Sequence, residues 1–288
     1  MVTYRFLVTT FVLSLAAAVD AAPPNVTLPA QAADKANNVP TNFSLPPQAT
    51  EIADGVFDLG TVLHNGRELQ GIAFVHPRAQ HAKPDGAGGG RGKPGGDSTG
   101  GTTTSTCYAV IAKGARWKSV EDYRVAASNQ SGMSDTFVNQ SIDAAAAAWN
   151  AELSSPVFGS RVSGGVDGAD TDTPDDKNEV MFAAIDDAGV IAVTITWGVF
   201  SGPPAGRELV EWDQVYDDVD FAWGDADTNT SAMDMLNIAV HEIGHAAGLA
   251  HPDLTCTDET MYAYAAEGET KKRDLNAGDI AGIRDIYE

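Results

Sequence analysis

The chain has 288 residues, 43% of them hydrophobic and 20% charged, and a formal net charge of -22 at pH 7. A negative field of that size repels nucleic acid and anionic lipid, so neither is an expected partner. After the first two dozen residues no apolar run is long enough to span a bilayer.

The N-terminus has the form of an export signal. Arg5 supplies early positive charge, residues 6–19 (FLVTTFVLSLAAAV) form an apolar core, and small residues near Ala22 suit cleavage. Residues 1–22 are therefore read as a signal peptide and the mature chain as secreted and extracellular. An uncleaved membrane anchor is the alternative, for which the apolar stretch is short. Residues 23–83 read as a small pro-region. Its first part is rich in Pro, Ala and Asn, whereas residues 51–77 alternate apolar and polar positions around Asn65-Gly66, the signature of a hairpin with a tight turn. Residues 84–106 hold nine glycines and end in a Ser/Thr-rich run. That composition predicts a flexible linker that is readily cut.

Residues 107–288 differ in character. They carry eleven Lys/Arg against thirty-two Asp/Glu, whereas the preceding residues carry seven against eight. A strand is expected around Asp122–Ala127. A helix should follow Ser134 as N-cap, with Val138, Ile142, Ala145 and Trp149 on one face. The β-branched runs EVMFAAID and VIAVTITWGVF predict strands, and RELVEWDQVYDDVDFAW one or two more. SAMDMLNIAVHEIGHAAG is helical in pattern and stops at Gly248, and NAGDIAGIRDIYE predicts a short last helix. The order of elements implies an α+β fold with a mixed twisted sheet.

The stretch HEIGHAAGLAH, residues 241–251, concentrates three of the six histidines. On a helix His241 and His245 lie one turn apart on one face, which suits two nitrogen ligands on one zinc ion. Glu242 points about 100° away, too far round to be a ligand but placed to act as general base. Gly248 allows a sharp turn that returns His251 as a third ligand. Three protein ligands leave a fourth position for water, the mark of a catalytic zinc. A chance match on an amphipathic helix and a structural zinc completed by Cys256 are the competing readings.

These residues resemble the metzincin signature, HExxHxxGxxH, and Met261 in ETMYAY is similar to the methionine of the turn beneath the metal in that group. Within the metzincins the chain resembles the matrixins. YDDVDFAW looks like the strand before their active-site helix, and LNAGDIAGIRDIYE like their terminal helix. The resemblance implies a zinc-dependent endopeptidase acting on protein or peptide substrates, with Glu242 as base and Zn2+ on His241, His245 and His251. It also implies an active-site helix, a C-terminal helix and a small pro-region. Several features depart from it. Residues 107–240 contain no histidine, so a second structural zinc is not expected. The proline that follows the methionine in the family is replaced by Ala263 and Tyr264. The Pro-Arg-Cys-Gly context that keeps matrixin zymogens latent does not occur.

Cys107 and Cys256 are candidates for one disulfide in an exported chain. Latency through a Cys107 thiolate is the other use, and blockage of the cleft by the hairpin would need no thiol. Asp167, Asp170, Asp172, Asp175 and Asp176 crowd one loop and are candidate Ca2+ ligands, against the plainer reading of a solvated acidic loop. An extended substrate would pair with an edge strand, VIAVTITWGVF or ELVEWDQV. The chain is expected to be monomeric and not inserted in a membrane after signal cleavage. An exported binding or surface protein on the same scaffold, without turnover, and a hydrolase of small esters or amides are the competing functions.

Overall fold

A computed structural model of the chain describes residues 39–79 and 106–288. The expected signal peptide 1–22 lies outside the described residues, as does all but the last residue of the linker 84–106. In chain order the strands are β1 (Asn42–Phe43), β2 (Thr50–Ala53), β3 (Val56–His64), β4 (Arg67–Pro77), β5 (Ala109–Val110) and β6 (Glu121–Val125). Helix α1 (Asp135–Asn150) follows, then β7 (Phe158–Arg161), β8 (Glu179–Ile185), β9 (Val190–Val199), β10 (Glu208–Asp217), β11 (Trp223–Gly224) and β12 (Met233–Asp234). Helix α2 (Met235–Ala246), β13 (Leu249–Ala250) and α3 (Ala277–Tyr287) complete the chain. Among the described residues no helix is long and apolar enough to cross a membrane.

The architecture is mixed α/β. The main sheet runs β2-β3-β4-β9-β10-β8-β6-β7, with β1 beside β8. Strands β7, β6, β8 and β10 are mutually parallel, and β9 is antiparallel to β10. The parallel pair β6–β7 requires a crossover, and α1 supplies it. Its N-cap is Ser134, whose Oγ accepts from the Phe137 amide at 3.2 Å. Its apolar face, Val138, Ile142, Ala145 and Trp149, is fully buried. Trp149 alone stabilises the packing by about 2–3 kcal/mol.

The turn between β3 and β4 has φ of 48° at Asn65 and 77° at Gly66. Positive φ at both positions gives a two-residue turn whose twist matches that of the strands. The hairpin does not stand apart from the remainder of the chain. Strand β4 pairs antiparallel with β9 from Gln70 opposite Gly198 to Pro77 opposite Val190. Leu69 and Ala73 enter a buried cluster with Val193, Ile195, Trp197 and Val215. This overturns the expectation that β9 or β10 forms an open edge. Strand β9 lies between β4 and β10, and β10 lies between β9 and β8. The reason is that an unpaired row of N–H and C=O groups on β9 is a template for pairing, and β4 is the strand that takes it.

Candidate metal centre

Helix α2 is the platform of the site. Its N-cap Asp234 accepts from the Asn237 amide at 2.8 Å, and all its residues except Leu236 are buried. Trp149 Nε1 donates to the Val240 carbonyl at 2.8 Å, which fixes α2 against α1. Gly244 is a packing requirement, since a Cβ there would collide with Met261 Sδ and the Trp149 ring. The methionine expected beneath the site is thus 1% exposed and seated against the helix that carries the histidines.

Past α2, Gly248 has φ 101°, and the chain reverses into β13, which pairs with β5. The reversal returns His251 to the helix. Three Nε2 atoms then converge. His245 lies 3.2 Å from His241 and 3.0 Å from His251, and His251 lies 3.3 Å from His241. The opposite ring nitrogens settle the tautomers. His241 Nδ1 is 2.7 Å from the Thr260 carbonyl, and His245 Nδ1 is 2.9 Å from the Leu249 carbonyl. A carbonyl only accepts, so both Nδ1 atoms carry protons and both Nε2 atoms present lone pairs to one another. Lone pairs at this separation repel unless a cation lies between them. Four ligands about 2.0–2.1 Å from a tetrahedral zinc would lie roughly 3.3 Å apart, so the spacing fits that ion. Burial holds His241 and His251 well below the usual imidazole range and His245 at about 3, so the rings stay neutral, as ligands must.

Glu242 points to the other side of this cluster. Thr194 Oγ1, on β9, donates to its Oε2 at 2.6 Å, and His76 Nδ1, on β4, lies 3.0 Å from its Oε1. Burial pushes its carboxyl up to about 8, against the pull of the Thr194 bond. Lys272, fully buried, donates to the Thr260 carbonyl at 2.9 Å, and burial lowers its ammonium to about 7. Asp279, at N3 of α3, accepts from the Thr260 and Met261 amides at 2.7 and 3.0 Å. It therefore orients the carbonyl that orients His241. An open cleft of about 550 Å³ borders His251 and is walled by Ile72 and Phe74 of β4 and by Pro252 and Ala263.

Sequence reasoning did not find Thr194, His76, Lys272 or Asp279. Of these only Asp279 carried a local signal, its place three residues after Asn276 in a capping box.

Cys107 and Cys256 are joined in a disulfide, Cα–Cα 5.6 Å, across 149 positions of the chain. The Cys107 sulfur is therefore not available to a metal. The five loop aspartates do not converge. Lys177 takes Asp167 and Asp175, Gln48 donates to Asp172, and His64 and Asn65 of the hairpin turn contact Asp176. Only Asp170 faces other carboxylates within ligand distance, and these are Glu211 and Asp213 of β10.

The matrixin family model matches residues 203–288, the segment that holds α2, His251, Met261 and α3. Metalloendoproteinase 4-MMP of Arabidopsis thaliana is 38% identical over 69 residues, which cover 24% of this chain and 18% of that protein. Metalloendoproteinase 2-MMP of the same plant is 35% identical over 88 residues, covering 30% of this chain and 21% of that protein. The chain thus spans about a fifth of the length of each curated relative. Helix, converging histidines, methionine seat and family match all fall in the same last third of the sequence, and that third is similar to the matrixins among the metzincins.

Proposed function

We propose that this chain is a secreted zinc-dependent endopeptidase in which His241, His245 and His251 hold the metal and Glu242 is the general base. The observation that carries this reading is the convergence of three Nε2 atoms within 3.0–3.3 Å, two of them fixed as lone-pair donors by carbonyls behind their rings. When bound, zinc supplies an acidified water and polarises the substrate carbonyl.

Glu242 then takes a proton from the attacking water. Oxygen bonds to the acyl carbon, the C–N bond breaks, and Glu242 delivers the proton to the leaving amine. Thr194 fixes the rotamer of Glu242 through Oε2, which leaves Oε1 for that proton. The substrate class follows from the rim. The main-chain groups of β9 on that side are taken by β4, so an extended peptide would pair with β9 only in place of β4, whereas a small ester would use none of them. The disulfide suits an oxidising, extracellular location.

The deciding experiment compares wild type with Glu242→Gln on a fluorogenic peptide and on casein, before and after limited proteolysis within residues 80–105. Zinc content should stay near one per chain in both proteins. Turnover should be chelator-sensitive in wild type and fall by about 10²–10⁴-fold in the variant. Undiminished turnover in Glu242→Gln would refute the assignment.

A further inference from the structure

We propose that strand β4 is a built-in occupant of the substrate groove, and that His76 is the residue with which it withholds Glu242. The proposal rests on the protease reading and names how that same site is regulated.

The path of the segment is that of an extended peptide held on both sides. From Gln70 to Pro77 it is hydrogen-bonded along β9. Just beyond, Arg78 pairs in parallel with Ala265, the Ala79 amide donates to the Ala265 carbonyl at 2.8 Å, and the Arg78 amide donates to the Gly189 carbonyl at 2.8 Å. Main-chain clamping of this kind gives affinity without regard to sequence, and alternate side chains supply the specificity.

Phe74 and His76, two residues apart on one face of β4, are those side chains. The Phe74 ring stacks on His245 at 4.1 Å between centroids, and the His76 ring stacks on His241 at 4.0 Å. His76 Nδ1 then meets Glu242 Oε1, the oxygen that Thr194 leaves for chemistry. His76 and Glu242 are both fully buried. Neither water nor a substrate carbonyl reaches the base while β4 is in place.

His76 blocks through the carboxylate and the ring of His241, not by joining the three Nε2 atoms. It groups with His241 and Glu242 alone, and its own Nε2 has no hydrogen-bond partner. Nor does a thiol contribute, because both cysteines are in the disulfide. The remainder of the hairpin holds the strand in register. Leu69 and Ala73 are buried with Trp197, Arg67 pairs with Glu208, and His64 reaches Asp176.

The test uses the intact chain and two readouts. In zinc-free protein, hydrogen exchange of the 190–199 amides should be as slow in wild type as that of 179–185. His76→Ala should speed it by about 10- to 100-fold, the factor expected when one partner of a buried hydrogen bond is left unsatisfied. His76→Asn keeps a donor beside Glu242 and should stay within about twofold of wild type. In zinc-loaded protein, hydrolysis of a fluorogenic peptide should rise by a similar factor in His76→Ala and not in His76→Asn. Rapid exchange of 190–199 in wild type overturns the proposal without need of any variant, and so does a His76→Ala protein that matches wild type in both readouts. If every form carries one zinc and none hydrolyses peptide, the protease reading fails, and the exchange result alone decides whether β4 is clamped by His76.

Discussion

Two clusters of buried titratable groups lie in this chain, and burial neutralises them in opposite directions. Around α2 three imidazoles are held without their second proton. Between β8, β10 and the 167–178 loop, four carboxyls are pushed toward holding theirs. Burial raises Glu211 to about 9, Glu179 to about 7 and Asp170 to about 6, and lifts Asp213 well above the carboxylate range. The bonded atoms also differ in kind. His241 and His245 turn their protons outward to carbonyls, and all three rings turn Nε2 inward to one point. The carboxylates turn oxygens outward to the loop. Glu179 accepts from the amides of Asp167 and Gly168, Asp213 from those of Asp170 and Glu179, and Glu211 from those of Asp176 and Lys177. The comparison teaches that a cluster is read through the bonds its atoms already make. What matters is whether the atoms that shape the loop are the same atoms that face the centre.

The sharpest way to break the comparison is to release the imidazole side from its fastening. The disulfide ties residue 107, beside β5, to the loop that follows His251. Closing so long a loop stabilises by about 5 kcal/mol on the chain-entropy account. Cys107→Ala with Cys256→Ala should lose up to that amount in urea unfolding and lower zinc content through His251. An unchanged unfolding midpoint would show that β5–β13 pairing suffices. A smaller effect is expected from Asp279→Ala. It frees the Thr260 and Met261 amides, so the carbonyl behind His241 is no longer aimed. Loss of such a supporting contact typically weakens metal binding by about 10–100-fold. Competition with a coloured chelator would show it, and equal affinity in the variant would place Asp279 outside the support of the site.

The two clusters also differ in how much of each was written locally. Residues 241–251 could be read because a helix converts a spacing of four into one face, and because Gly248 announces the turn that brings back His251. The last third of the chain carries the matrixin likeness in the same way. The helix α1 and its buried face followed from the period of its apolar residues. What could not be read is what reaches the site from afar. Thr194 and His76 are ordinary members of alternating strands, and only pairing between β4 and β9 sets them against Glu242. The same pairing closes the edge of β9, and no local pattern says which strand a hairpin will join. In the acidic loop, density of aspartate does not say which side chains come together. Most of those side chains meet a cation or an amide, and the carboxylates that do gather come from β10, where Glu211 and Asp213 share a face because they are two apart.

An effect that is absent at pH 5 and grows only with pH tests the carboxylate side directly. Glu211 is fully buried, and its Oε1 has no hydrogen-bond partner. Its folded pKa, raised to about 9, lies above the ordinary carboxylate value. Between those two values the native state keeps a proton that the unfolded chain gives up, so this group's contribution to stability falls as pH rises. It is fully present below the unfolded pKa and spent by about pH 9, the reverse of a salt-bridged carboxylate. Lys272 works the other way between about pH 7 and 10.5, which overlaps the upper part of this range, because its lowered pKa makes the native state bind fewer protons than the unfolded chain. The slope of either protein alone therefore mixes both, and only the difference between wild type and Glu211→Gln isolates the carboxyl. Glutamine keeps an oxygen for the Asp176 and Lys177 amides and has nothing to ionise. In urea unfolding with chelator present, the variant should match wild type near pH 5. By pH 8 it should be the more stable protein by up to about 4 kcal/mol. A difference that stays flat from pH 5 to pH 8 would mean that Glu211 ionises as easily in the fold as out of it, and the symmetry between the two buried clusters would be lost.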